Sequence, residues 1–116
     1  MPVIYTHVST STTKEQRDRL KTAFGKAISI LPGKSESWLM CPFDDNVPMY
    51  FAGDDSKPVA YVEVNVFGRA AVDSGIWEKL TQAILAALDG ELGIAQDRTY
   101  IREMSTPDWG WNGGNF

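Results

Sequence analysis

LKTAFGKAISILPG at residues 20–33 and LTQAILAALDGELG at residues 80–93 together decide the fold. Leu20, Ala23, Phe24, Ala27, Ile28 and Leu31 fall at steps of three and four, which draws one apolar stripe along a helix. Leu80, Ala83, Ile84, Ala87 and Leu88 repeat that stripe, and Gly33 recurs as Gly93. Strand-like runs flank each helix. VIYTHV (3–8) is β-branched and aromatic, and SWLMCPF (37–43) predicts a second strand in which Pro42 marks an edge or a bulge. In VAYVEVNVF (59–67), Ala60, Val62, Val64 and Val66 alternate with Tyr61, Glu63, Asn65 and Phe67, as a strand buried on one face requires. RTYIREM (98–104) is the fourth strand, and the turn-rich stretch at 44–58 has room for a short one at MYF.

The chain therefore reads as a tandem repeat of two β-α-β units. In each unit a right-handed crossover makes the two strands parallel. Joined edge to edge, the units predict an α/β (α+β) fold, a four-stranded mixed sheet with both helices on one face, in one domain over residues 1–116. Thr12 and Glu15 are spaced as a capping box for the first helix, with Gly33 suited to its left-handed end, and the second helix runs from about 73 to 89. No third helix is available for the other sheet face. Tyr61, Phe67 and four tryptophans are also generous for a monomer of 116 residues, so association through the open face and edges is expected.

Composition narrows the function classes. Hydrophobic residues at 43% and charged residues at 22% fit a globular protein, and a net charge of −4 argues against nucleic acid as the main partner. No apolar run approaches the roughly 18 residues of a membrane span. No basic region followed by an apolar stretch opens the chain, which makes cytoplasmic the expected location. Cys41 and His7 are the only cysteine and histidine, so an internal disulfide, dithiol chemistry and an intrachain zinc site are all improbable. Phosphate-binding loops and G-x-G-x-x-G are absent, so most familiar catalytic apparatus is missing.

The opening MPVIYTHV holds one unusual chemical option. Removal of Met1 ahead of a small side chain leaves Pro2 with a free secondary amine, both a base and a nucleophile. The plainer reading is a proline at the start of a strand, where its missing N–H costs nothing.

Pro2, the two β-α-β units, GK (33–34) after the first helix and GWNG (110–113) before the terminal Phe116 resemble the tautomerase superfamily, with the macrophage migration inhibitory factor subgroup nearest. The resemblance runs over essentially the whole chain. It implies a homotrimer with active sites at subunit interfaces, and keto–enol tautomerase activity on phenylpyruvate-type 2-keto acids without a cofactor. It also implies site roles. Pro2 becomes general base and then acid, and Lys34 binds the substrate carboxylate and depresses the amine. Tyr100 from the neighbouring subunit and the Lys34 backbone amide steady the enolate oxygen. Trp38, Phe67, Trp111 and Phe116 match the aromatic or apolar walls.

Two departures qualify that transfer. Arg102 stands where vertebrate members carry asparagine; it either binds substrate or pairs with a local carboxylate such as Glu103 or Asp108. Val59-Ala60-Tyr61-Val62 occupies the place of a Cys-x-x-Cys in the vertebrate protein, so dithiol activity does not carry over. Two alternatives stand beside the tautomerase: a decarboxylase or hydratase on the same fold, and a cytokine-like interaction protein with incidental activity. Nothing in the sequence specifies a receptor.

Overall fold

A computed structural model describes residues 1–116. The first unit is β1 (Pro2–Val8), α1 (Lys14–Ile28) and β2 (Phe43–Asp44), and the second is β3 (Ala60–Phe67), α2 (Ser74–Leu92) and β4 (Thr99–Thr106). A two-stranded hairpin, β5 (Gly110–Trp111) and β6 (Gly114–Asn115), closes the chain. The main sheet has the order β2-β1-β3-β4. Within each unit the strands are parallel, and β1 meets β3 antiparallel, so the edge-to-edge joining of the units is as the repeat requires.

Both apolar stripes face the same side of the sheet. Leu20, Phe24 and Ile28 from α1 and Leu80, Ile84 and Leu88 from α2 share one core with Ile4, Val8 and the alternating Ala60, Val62, Val64 and Val66. Every residue of the β3 set is 2% exposed or less, which fixes the register of the central strand against any one-residue slip.

Three local expectations need correction. The capping box of α1 is Thr13 with Gln16, one residue later than Thr12 with Glu15: the Thr13 hydroxyl accepts from the Gln16 N–H at 3.1 Å, and Gln16 Oε1 accepts from the Thr13 N–H at 2.9 Å. Thr12 is committed elsewhere, because its N–H and hydroxyl both donate to Asp45 Oδ2, at 3.0 and 2.8 Å. Gly33 lies beyond the end of α1, which stops at Ile28 with Ser29 as its cap. Gly93 does end α2 in the left-handed region, at φ 67°. Finally, the strand expected over 37–43 is mostly irregular. Glu36–Trp38 form a 3-10 turn, Met40 makes one bridge to Val3, and β2 is only two residues long. Pro42 has no N–H for a ladder, and Thr6 of β1 still donates to its carbonyl at 3.1 Å.

The opposite sheet face is open. It presents Tyr5, His7, Tyr61, Tyr100, Arg102 and Met104, with Tyr100 68% exposed. His7 stacks on Tyr5 at 4.3 Å and Tyr61 at 5.8 Å, and its Nδ1 lies 3.2 Å from Asp44.

The repeat makes a direct prediction about stability. Leu20 and Leu80 are counterparts with no exposed surface. Leu20→Ala and Leu80→Ala should each destabilise the fold by about 2–5 kcal/mol, and by similar amounts. Urea unfolding of the two variants checks this.

Candidate active site

The site is built at the end of the sheet where β1 begins and β3 ends. Pro2 pairs with Val66, so the first residue of one central strand sits beside the end of the other. The Met40 N–H donates to the Pro2 carbonyl at 3.1 Å, an anchor that does not depend on Met1, and the Phe67 N–H donates to the Met1 carbonyl at 3.0 Å while Met1 is present. The chain leaving α1 is brought to the same place by a tight turn. Pro32 and Gly33 occupy its centre, Gly33 has φ 75°, and the Lys34 N–H donates back to the Leu31 carbonyl at 3.1 Å. Proline followed by glycine with positive φ is the type II pattern.

That turn aims Lys34 inward. Its ammonium donates to the carbonyl of Phe67 and stands 5.4 Å from the centre of the Phe67 ring. Between Pro2 and Lys34 lies a cavity of about 400 Å³, lined also by Met1, Pro32, Trp38, Phe67 and Phe116. This is within the range of small-molecule sites, roughly 300–1,000 Å³.

The electrostatics of the cavity favour a neutral amine. Burial lowers the pKa of the terminal ammonium, here carried by Met1, and the Lys34 charge lowers it further. Burial also lowers the Lys34 pKa. No aspartate or glutamate lines the cavity, and the ammonium of Lys34 therefore acts on the terminal amine without an acidic side chain between them.

The chain terminus forms the outer wall. Asn112 and Gly113, both with positive φ, make the two-residue turn between β5 and β6, and the Phe116 N–H donates to the Trp109 carbonyl at 3.1 Å. The hairpin lays Phe116 edge-on against Phe67 at 5.3 Å and Trp111 edge-on against Trp38 at 5.3 Å. The Asn-Gly pair in WNGG is a hairpin signal that the sequence reading passed over.

Of the eight candidate residues, Pro2, Lys34, Trp38, Phe67 and Phe116 line one cavity, and Trp111 packs against its wall. Tyr100 and Arg102 do not reach it within one chain. Tyr100 is level with Tyr61 and Pro2 with Val66, five residues apart along β3, or about 17 Å. Arg102 is level with Glu63 on the open face and makes no ion pair with Glu103 or Asp108. Glu103 points to the other face, where it accepts from the Thr81 hydroxyl at 2.9 Å. The Lys34 amide is already engaged with Leu31, so it is not a free donor for an enolate. Arg69 was missed: its guanidinium lies 5.3 Å from the Phe67 ring centre. No group of three or more His, Cys, Asp or Glu side chains gathers around a common point.

Cys41 stands apart from this chemistry. Burial, with the Glu36 charge as a smaller influence, pushes its thiol up to about 11. At pH 8 the native thiol should react with a disulfide reagent at least tenfold more slowly than the thiol of the urea-unfolded chain. A spectrophotometric thiol titration measures both rates.

No family model matches the sequence, and no curated protein matches it. Solved structures do. MIF2 of Leishmania major is 37% identical over 100% of this chain and 97% of its own, with a TM-score of 0.89. A macrophage migration inhibitory factor homologue from Prochlorococcus marinus is 29% identical over 98% of each chain, with a TM-score of 0.83. Macrophage migration inhibitory factor of Toxoplasma gondii is 25% identical over 98% of this chain and 99% of its own, at 0.84. The identity, coverage and TM-score of the Leishmania major comparison place the chain in the macrophage migration inhibitory factor family of the tautomerase superfamily.

Proposed function

We propose that this protein is a cofactor-independent keto–enol tautomerase of phenylpyruvate-type 2-keto acids, with the amine of Pro2 as its acid and base once Met1 is removed. The observation that carries this reading is the meeting of Pro2 and Lys34 in one apolar-walled cavity whose surroundings depress a terminal amine. Membership of the superfamily supports the reaction class.

The chemistry follows from the positions. Interconverting the keto and enol forms moves a proton between carbon and oxygen next to a carboxylate. The base must be neutral at working pH yet basic enough to take a carbon-bound proton, so its pKa belongs near neutrality. An ordinary α-amino group, at about 7.7–8.0, is lowered by burial and by the neighbouring ammonium. Lys34 has one N–H committed to Phe67, which leaves two for a substrate carboxylate. Phe67, Phe116 and Trp38 exclude water and suit an aryl ring.

The same reading requires a homotrimer. Tyr100 and Arg102 lie too far from Pro2 in their own chain, so only a neighbouring copy brings them to the cavity. The uncovered face, with Tyr100 and Met104 exposed, supplies the contact surface. Arg102 from that neighbour would then add a charge at the carboxylate end. Sedimentation should give about three times the monomer mass; a monomer leaves the cavity without those two residues and contradicts this arrangement.

Activity tests the mechanism. With tag-free protein lacking Met1, kcat/KM for enol phenylpyruvate should rise as pH climbs through a depressed amine pKa, because only the neutral amine accepts a proton. It should fall again at high pH as Lys34, whose own pKa is lowered, loses its charge. An extra residue ahead of Pro2 should reduce the rate by about 10²–10⁴-fold. Lys34→Ala should reduce kcat/KM about 10–100-fold, the worth of a charge-assisted hydrogen bond. Equal rates with and without the extra residue would overturn the role of Pro2.

A further inference from the structure

A second cleft opens from the far side of Phe67. It measures about 510 Å³ and shares the wall residues Pro32, Lys34 and Phe67 with the Pro2 cavity, so Lys34 borders both spaces. Its remaining walls are mainly small or apolar, including Val66, Ala70 and Ile76, with Arg69 as its added cation. Lys34 and Arg69 each lie within 5.4 Å of the Phe67 ring centre, so the two charges are separated by no more than twice that distance. Neither forms an ion pair with a carboxylate of the chain. Asp73 is the one acidic residue lining the cleft, and its carboxylate is occupied in accepting the Gly75 N–H at 2.9 Å at the start of α2.

Two unpaired cations flanking one aromatic ring are unusual on a chain of net charge −4. Each gains only about 0.5–1 kcal/mol from an exposed ring face, which leaves its charge free for a stronger partner. Lys34 and Arg69 line the same cleft, so a substrate with one carboxylate on Lys34 has Arg69 within about 11 Å for a group at its other end. A guanidinium there holds a second carboxylate with two parallel hydrogen bonds, and it discriminates by geometry as well as by charge.

We propose that Arg69 is a specificity-determining anion site and that the preferred substrates are 2-keto acids carrying a second carboxylate at the end remote from the keto acid. This rests on the tautomerase reading and names its substrate class.

The test compares the enols of phenylpyruvate and 4-carboxyphenylpyruvate on the wild type, Arg69→Gln and Arg69→Lys. The wild type should favour the dicarboxylate by about tenfold or more in kcat/KM. Arg69→Gln should erase most of that ratio, Arg69→Lys should keep part of it, and added salt should shrink it in the wild type and in Arg69→Lys but not in Arg69→Gln. A ratio unchanged by Arg69→Gln, or a wild type that prefers the monocarboxylate, overturns the proposal. Calorimetric binding of cinnamate and 4-carboxycinnamate separates the two claims. If neither enol turns over, the tautomerase reading fails, and an Arg69-dependent affinity ratio still upholds the anion site. If the enols turn over and the affinity ratio ignores Arg69, the anion site alone fails.

Discussion

The hydrogen bond from the Lys34 ammonium to the Phe67 carbonyl is the joint on which the site depends. It ties the end of the first crossover to the end of β3, two segments from different halves of the repeat. The left-handed Gly33 makes it reachable, because a side chain at φ 75° would strain the turn that delivers Lys34. With Lys34 fixed there, its charge acts on the terminal amine beside it and on any carboxylate entering the cavity. Burial and the Lys34 charge push in the same direction, both lowering the pKa of the terminal amine, here that of Met1.

The repeat gives each unit the same scaffold and different duties. Gly33 and Gly93 share a left-handed backbone, yet Gly93 ends a helix while Gly33 turns the chain beyond one. The first unit supplies Pro2, Lys34 and Trp38, and the second supplies Phe67 and, through its tail, Phe116. The site is therefore a seam between halves, a consequence of β1 and β3 being the two central strands.

Much of this was legible from the residues. The two apolar stripes and the alternation in VAYVEVNVF specify their buried faces directly, since periods near 3.6 and 2 leave little choice of orientation. The segment 37–43 was not legible as it stands. Its β-rich composition is overruled by Pro42 and by the 3-10 turn that swings Trp38 to the cavity wall. The shift of the cap from Thr12 to Thr13 depends on Asp45, 33 residues away from Thr12, and local spacing carries no trace of that contact. Five candidate residues converge because strand ends and turns bring them together. Tyr100 and Arg102 are placed on the open face by strand parity, and a chain taken alone has no signal for what meets that face. Arg69 escaped notice because a single arginine after Gly68 matches no motif; only its position over Phe67 distinguishes it.

The central claim is that this fold turns a terminal amine into a usable base, and titrating that amine tests it most directly. Protein lacking Met1 and labelled with 15N at proline allows the Pro2 nitrogen to be followed by NMR as pH is raised. The account predicts a Pro2 pKa below the ordinary α-amino range of about 7.7–8.0, and a rise toward that range in Lys34→Ala. A value at or above the ordinary range, unmoved by loss of Lys34, would contradict it and leave Pro2 as the opening residue of a strand.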